Sequence, residues 1–157
     1  MTDKSSTAKP GVIGAAPPRL PADIYLRVFE ASPDPITLQA FPEGRFLAVN
    51  AAFERTFRSP RGSTLGQTML DVGLIRDAAA YQDLVRQVGA AGEVINIEMP
   101  LTARDGTVVS CHVSASLMDV DGRRCMLTVI GDIRMQKRIE AALRYSNAVL
   151  QAISSAQ

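Results

Sequence analysis

Hydrophobic and polar positions alternate most regularly between Val94 and Ile133. Three β-rich runs, 94–103, 107–118 and 124–130, are separated by Asp105-Gly106 and Asp121-Gly122. Asp-Gly between such runs predicts tight hairpins, because Gly takes the positive φ these turns need without a Cβ clash. The third run continues through Gly131-Asp132-Ile133 into a helical pattern free of Gly and Pro. A strand that becomes a helix in this way can carry a change in a core outward to a partner.

The pattern changes period elsewhere. Over 77–88, Tyr81, Leu84, Val85 and Val88 fall at i, i+3, i+4 and i+7 while Gln82, Asp83, Arg86 and Gln87 face away, which predicts an amphipathic helix ended by Gly89 and Gly92. Two short strands are predicted over 36–40 and 45–49, joined by the turn Pro42-Glu43-Gly44. Asn50 then stands where an N-cap is needed for a helix over 51–57. Residues 59–63 are expected to form a loop, and 65–74 an irregular stretch or short helix. Ile24, Leu26, Val28 and Phe29 predict a short helix that stops before Ser32-Pro33-Asp34-Pro35. Residues 1–21, rich in Ser, Ala, Gly and Pro, are expected to be a disordered leader. After Ile133, residues Ile139, Leu143, Ser146, Leu150 and Ile153 are spaced four, three, four and three, a heptad seam of about two heptads. That seam suits either a partner helix or the chain's own core, and Asp132 is placed to cap it.

Composition narrows the function classes. A chain of 157 residues fits one domain with extensions. A formal charge of +1 argues for no nucleic-acid partner. The basic groups are local (Lys4, Lys9 and Arg19 in the leader, Arg134, Lys137, Arg138 and Arg144 in the last helix) and read as solvated faces. No apolar run approaches the ~20 residues of a membrane helix, so no membrane association and a cytoplasmic location are expected. Folding about Asp121-Gly122 sets Cys125 opposite Leu117 or Met118 and Cys111 opposite Gly131 or Asp132. That separates the thiols by roughly 20 Å, so both are expected to be free and buried. The single histidine, His112, has no nucleophile arranged about it, and there is no phosphate-binding loop, metal-spaced Cys/His cluster or helical phosphoacceptor histidine. The chain is not expected to be an enzyme.

The ordered set Phe29-Glu-Ala-Ser-Pro-Asp-Pro-Ile36, Val49-Asn-Ala-Ala-Phe53, Leu65-Gly66, Arg104-Asp-Gly106, Val113-Ser-Ala115, Asp121-Gly122 and Gly131-Asp-Ile133 resembles a PAS domain of the kind found in bacterial sensor proteins. The resemblance implies an α+β fold, a five-stranded antiparallel sheet in spatial order 2-1-5-4-3 with helices packed on one face. It places 94–103 at an edge, where Pro100 is tolerated. It divides the chain into the leader 1–21, a PAS domain over 22–133 and a signalling helix over 134–157 that leads to an output domain of two-component or cyclic-dinucleotide type. Two positions depart from the family pattern. Arg58 stands where many relatives have Gly, which puts the end of the 51–57 helix in question. Arg134 replaces the usual Thr at the start of the last helix. Flavin-binding relatives carry a reactive Cys before the long helix and haem-binding relatives a His on it; neither is present here, and Trp is absent. Haem and flavin are therefore disfavoured, and no cofactor is predicted.

Strand alternation puts Ser110, His112, Ser114 and Ser116 on one face and Cys111, Val113, Ala115 and Leu117 on the other. A turn at Asp105-Gly106 pairs His112 with Met99 and Ser114 with Ile97, while the one-residue ambiguity of the Asp121-Gly122 turn leaves open whether Thr128 or Val129 shares their face. The resemblance implies that the His112 face points toward the helices. The candidate ligand pocket is then Tyr81, Met99, Leu101, Ser110, His112, Ser114, Thr128 and Ile130. The competing expectation is that the hydroxyls bond to backbone and that His112 is a satisfied core or rim residue. Transmission is assigned to Asp132, Ile133, Ile139, Leu143 and Leu150. The functional expectation is a homodimeric sensor of a small molecule or partner. Its rivals are a ligand-free dimerisation module and a haem or flavin sensor.

Overall fold

The computed structural model describes residues 20–155, and the backbone alone for 134–138. Residues 1–19 of the expected leader, and the last two residues of the chain, lie outside the described residues. The elements in order are α1 (Ala22–Ala31), β1 (Ile36–Ala40), β2 (Phe46–Val49), α2 (Ala51–Phe57), α3 (Arg61–Thr64), α4 (Ala78–Ala91), β3 (Glu93–Thr102), β4 (Val108–Val120), β5 (Arg123–Asp132) and α5 (Arg134–Ser155). The strands form one antiparallel sheet in the order β2-β1-β5-β4-β3. β5 therefore lies in the middle and β3 at the edge, as the resemblance implied.

The predicted helix over 77–88 is α4. Asp77 caps it, its carboxylate accepting from the Ala79 and Ala80 N–H groups at 2.9 and 3.2 Å. Gly89 does not end the helix; it lies inside, and Gly92 ends it at φ +83°. Tyr81, Leu84 and Val88 are buried and Val85 packs at the rim, as the spacing required. The loop expected over 59–63 is in part a helical turn, α3, whose Thr64 hydroxyl donates back to the Pro60 carbonyl at 2.7 Å.

The core lies between one face of the sheet and α2 and α4. Phe46, Phe53 and Phe57 stack in tilted contacts at 5.6 and 5.2 Å, joined by Met69, Leu74, Leu101, Val109 and Ile130. A second set, Leu84, Val88, Ala115 and Met126, packs α4 on the sheet centre.

Asp121-Gly122 closes the β4–β5 hairpin as a two-residue turn with both residues at positive φ (51° and 78°), so that Val120 faces Arg123. Of the alternatives open in the sequence, Cys125 faces Met118 and Cys111 faces Asp132. Both cysteines are buried and neither is in a disulfide.

Arg58 takes the left-handed conformation (φ 54°, ψ 40°) that ends α2, the place where the family pattern has Gly. A Cβ in that region is strained by roughly 1–2 kcal/mol. Arg58→Gly is therefore expected to stabilise the fold by about 1 kcal/mol, read as a higher urea midpoint at unchanged slope.

α1 is amphipathic but buries nothing: Ile24, Leu26 and Val28 are all exposed. It is tied down at its C-terminal end. The Asn50 amide donates to the carbonyl oxygens of Phe29 and Asp34, and Arg61 bridges Glu30 (2.8 Å) and Glu54 (3.2 Å). α5 likewise leaves its seam in solvent, with Ile139, Leu143, Leu150 and Ile153 each more than half exposed. The seam is not docked on the chain's own core. No helix among the described residues is long and apolar enough to cross a membrane.

Candidate functional site

The face assignment implied by the resemblance is corrected by the structure. Val109, Cys111, Val113 and Ala115 are 0–3% exposed and face the helices, whereas Ser110, His112, Ser114 and Ser116 are half-buried on the opposite face. Turning β4 over would bury three hydroxyls and an imidazole in place of four apolar groups. The alternation in β4 carried this information; the resemblance overrode it.

The predicted pairing is also displaced by one residue. The loop between β3 and β4 sets Thr102 opposite Val108, so His112 faces Glu98 rather than Met99, and Met99 faces Cys111. Beyond Ile97 a bulge interrupts the ladder, with Asn96 at φ 53°. Ser114 belongs to this bulge instead of pairing with Ile97. Its Oγ accepts from the Asn96 N–H at 2.9 Å and donates to the Asn96 side-chain carbonyl at 3.4 Å. A shallow groove of about 130 Å³ beside the bulge is lined by Ser114, Ser116, Leu127 and Val129 on the outer face.

The eight candidate pocket residues therefore do not form one site. Ser110, His112 and Ser114 lie outside. Tyr81, Leu101, Thr128 and Ile130 are buried inside, and Met99 is half-buried at the core's edge. Thr128 stands opposite Ala115 and Thr37, which settles the Thr128/Val129 alternative: Val129 shares the outer face with Ser114.

What the inner face does assemble is a small polar group in which the expected pocket residues Tyr81 and Thr128 meet Thr37 and Gln39, two residues that the sequence did not single out. Thr37 and Gln39 on β1 and Thr128 on β5 are all fully buried. Gln39 Oε1 accepts from the two threonine hydroxyls at 3.4 and 3.5 Å, and its Nε2 donates to the Gly44 carbonyl at 3.0 Å. Tyr81, from α4, ends against the same glycine, where a Cβ built on Gly44 would stand 1.9 Å from the phenol oxygen. That oxygen is buried and has no hydrogen-bond partner among the described residues. Burial holds the Tyr81 phenol above its ordinary pKa. The signal that would have found this group is the Thr-x-Gln of β1, two polar side chains on the same face of a strand with neighbours on both sides.

The central strand connects this group to the last helix. β5 presents Thr128 and Ile130 to the core, then passes Gly131 and Asp132 to Ile133, which is 4% exposed and whose N–H donates to the Ser110 carbonyl at 3.2 Å. α5 starts at the next residue.

Comparison with known proteins agrees with the fold. A family model described as PAS fold matches residues 29–138. The chain belongs to the PAS family, whose domains are sensory modules. Among solved structures it is similar to the PAS domain of an HTR-like protein from Haloarcula marismortui (TM-score 0.62, 23% identity, 71% of this chain and 91% of that one). It is similar to a domain of a sensory box sensor histidine kinase/response regulator from Geobacter sulfurreducens (TM-score 0.60, 22% identity, 71% and 93%). It also resembles an RNA-binding Light-Oxygen-Voltage receptor (TM-score 0.67, 17% identity), of which it spans 42% while 94% of this chain is covered. No curated protein matches the chain.

Proposed function

We propose that this chain is the sensing part of a signal-transduction protein of two-component or cyclic-dinucleotide type, and that it acts in the cytoplasm. It registers a small molecule or partner at the inner face of the sheet and transmits through β5 and α5, as a homodimer, to an output domain that carries any catalysis. The reading includes no haem or flavin. The observation that carries it is the continuity of one element. The last residue of β5, Asp132, lies four positions beyond buried Thr128, and α5 follows with its apolar seam exposed. A change in how Thr128 and Ile130 pack reaches α5 without crossing a flexible linker.

The test is native mass spectrometry of the purified protein with an absorbance spectrum on the same sample. A bound small molecule supports the ligand-sensing form. A clean apo dimer favours the alternative, a ligand-free dimerisation module, which the exposed apolar residues of α1 and α5 also suit. An apo monomer opposes both.

The interface assignment makes its own prediction. Leu143→Lys or Leu150→Lys sets a charge in the α5 seam and is expected to weaken self-association at least tenfold in analytical ultracentrifugation, with the far-ultraviolet spectrum unchanged. An unaltered dimer would remove α5 from the interface.

A further inference from the structure

Arg58 closes α2 in the left-handed conformation (φ 54°, ψ 40°), which glycine adopts without strain. Strain of this kind concentrates at functional positions. The fold itself makes no use of the guanidinium. The Arg58 side chain is exposed and has no hydrogen bond or ion pair among the described residues. Hydrogen bonds from Thr107, and to a lesser degree the Arg58 charge, hold the Asp105 carboxyl below its ordinary range, yet Arg58 and Asp105 form no ion pair. Arg55, one turn earlier, is likewise exposed and without a hydrogen bond or ion pair among the described residues.

Ala51, Arg55 and Arg58 follow one side of α2 at spacings of four and three, while Ala52, Phe53 and Phe57 turn to the core. With Glu54 and Pro60 they line an open groove of about 390 Å³. Glu54 is already engaged. One of its oxygens accepts from the Arg61 N–H at 2.8 Å, and the other meets the Arg61 guanidinium at 3.2 Å. Arg61 also pairs with Glu30 at 2.8 Å. Arg104 lies alongside, its N–H donating to the Phe57 carbonyl at 2.9 Å and its guanidinium to the Ser63 carbonyl at 3.5 Å. Four arginines (Arg55, Arg58, Arg61, Arg104) thus stand against three carboxylates (Glu30, Glu54, Asp105), which leaves one positive charge in excess.

We infer that this groove docks an acidic segment of a partner protein, with one carboxylate side chain held between Arg55 and Arg58 and its neighbour against Ala51 and Pro60. The single excess charge suits one carboxylate; a phosphate dianion would leave the corner negative. A guanidinium fork takes both oxygens of a carboxylate side by side. The open groove suits an extended piece of chain, since small molecules are held in clefts that enclose them. The surface lies on the side of α2 away from the core, so its test is independent of the sensory reading.

The experiment is an amide NMR titration with the acetylated, amidated peptide Ala-Leu-Glu-Leu-Ala, its Gln counterpart and inorganic phosphate. The Glu peptide should give saturable shifts at Ala51, Arg55 and Arg58, with a dissociation constant on the order of 1 mM. The exposed pair Arg123 and Arg124 at the β4–β5 turn serves as the internal control and should not shift. Arg58→Gly separates binding from folding. It should raise the urea midpoint, by relieving the backbone, and yet bind the peptide about three- to fivefold more weakly. Arg55→Gln should weaken binding by a similar factor with no gain in midpoint. A higher midpoint for Arg58→Gly with unchanged affinity overturns the proposal. So do absent shifts, equal shifts at Arg123 and Arg124, or equal shifts with the Gln peptide. Phosphate binding as tightly as the Glu peptide overturns the acidic segment as the occupant.

Discussion

Gly44→Ala is expected to lower stability by about 3 kcal/mol. Two costs add. Gly44 sits at φ +82°, where a Cβ is strained by roughly 1–2 kcal/mol. The methyl would also stand 1.9 Å from the Tyr81 oxygen and 3.2 Å from Cζ, a contact that either α4 or the β1–β2 turn must relieve by moving. The turn is not free to move. The Gly44 N–H donates to the Ala40 carbonyl at 2.8 Å, and its own carbonyl accepts from buried Gln39. The two costs separate in a double-mutant cycle. In a Tyr81→Phe background the oxygen is gone and the nearest ring atom lies at 3.2 Å, so Gly44→Ala should cost only the backbone part, about 1 kcal/mol. Urea denaturation of the four proteins reads the coupling directly. If Gly44→Ala costs the same in both backgrounds, the contact with Tyr81 carries no energy.

The second large effect is expected at Asn50. Its side chain is fully buried and makes four hydrogen bonds. Oδ1 accepts from the Phe53 N–H at the start of α2 and from the Ile36 N–H at the start of β1, both at 3.0 Å. Nδ2 donates to the carbonyls of Phe29 at 2.9 Å and Asp34 at 3.0 Å. Asn50→Ala removes a helix cap, worth about 1 kcal/mol, and strands backbone groups of three other segments, for a total of about 3–4 kcal/mol. Asn50→Asp keeps both acceptor bonds but sets a carboxylate against two carbonyl oxygens. It should cost about 2 kcal/mol at pH 7 and recover part of that at pH 4, where the protonated acid can donate. The loss in Asn50→Ala should concentrate on α1, seen as faster proteolysis at 32–35, because α1 has no buried residue to hold it otherwise. Equal stability of wild type and Asn50→Ala would reduce Asn50 to a solvated cap.

Asn50 shows how far the linear pattern reaches. Its capping role is local, a side chain bonding three residues along, and the junction of strand and helix discloses it. The bonds to Phe29, Asp34 and Ile36 depend on where α1 and β1 arrive, which no spacing encodes. Arg58 shows the same division. A family pattern marks the position as one that wants Gly, and the structure shows why, a left-handed residue closing α2.

The β4 strand is the instructive failure. Its alternation divided Val109, Cys111, Val113 and Ala115 cleanly from Ser110, His112, Ser114 and Ser116, and burial follows that division. The expectation that His112 faces the helices came from likeness to relatives. A single-residue difference in parity sends a whole set of side chains to the other side of the sheet. Register across β3 was out of reach for a different reason. The length of the 103–107 loop and the bulge at Asn96 each move the pairing by one, and both are set by tertiary packing and by the Ser114 hydroxyl.

By itself the sequence determined the elements other than α3, their order, the Asp-Gly turns, the two buried thiols and the apolar seam of α5. These follow from periodicity and from backbone conformations that few residues can adopt, and both are local. Only the tertiary structure decided that Tyr81 meets Gly44, that Gln39 gathers Thr37 and Thr128, and that His112 pairs with Glu98. Those contacts join residues far apart in the chain, and they depend on strand register, where one step exchanges the two faces of the sheet.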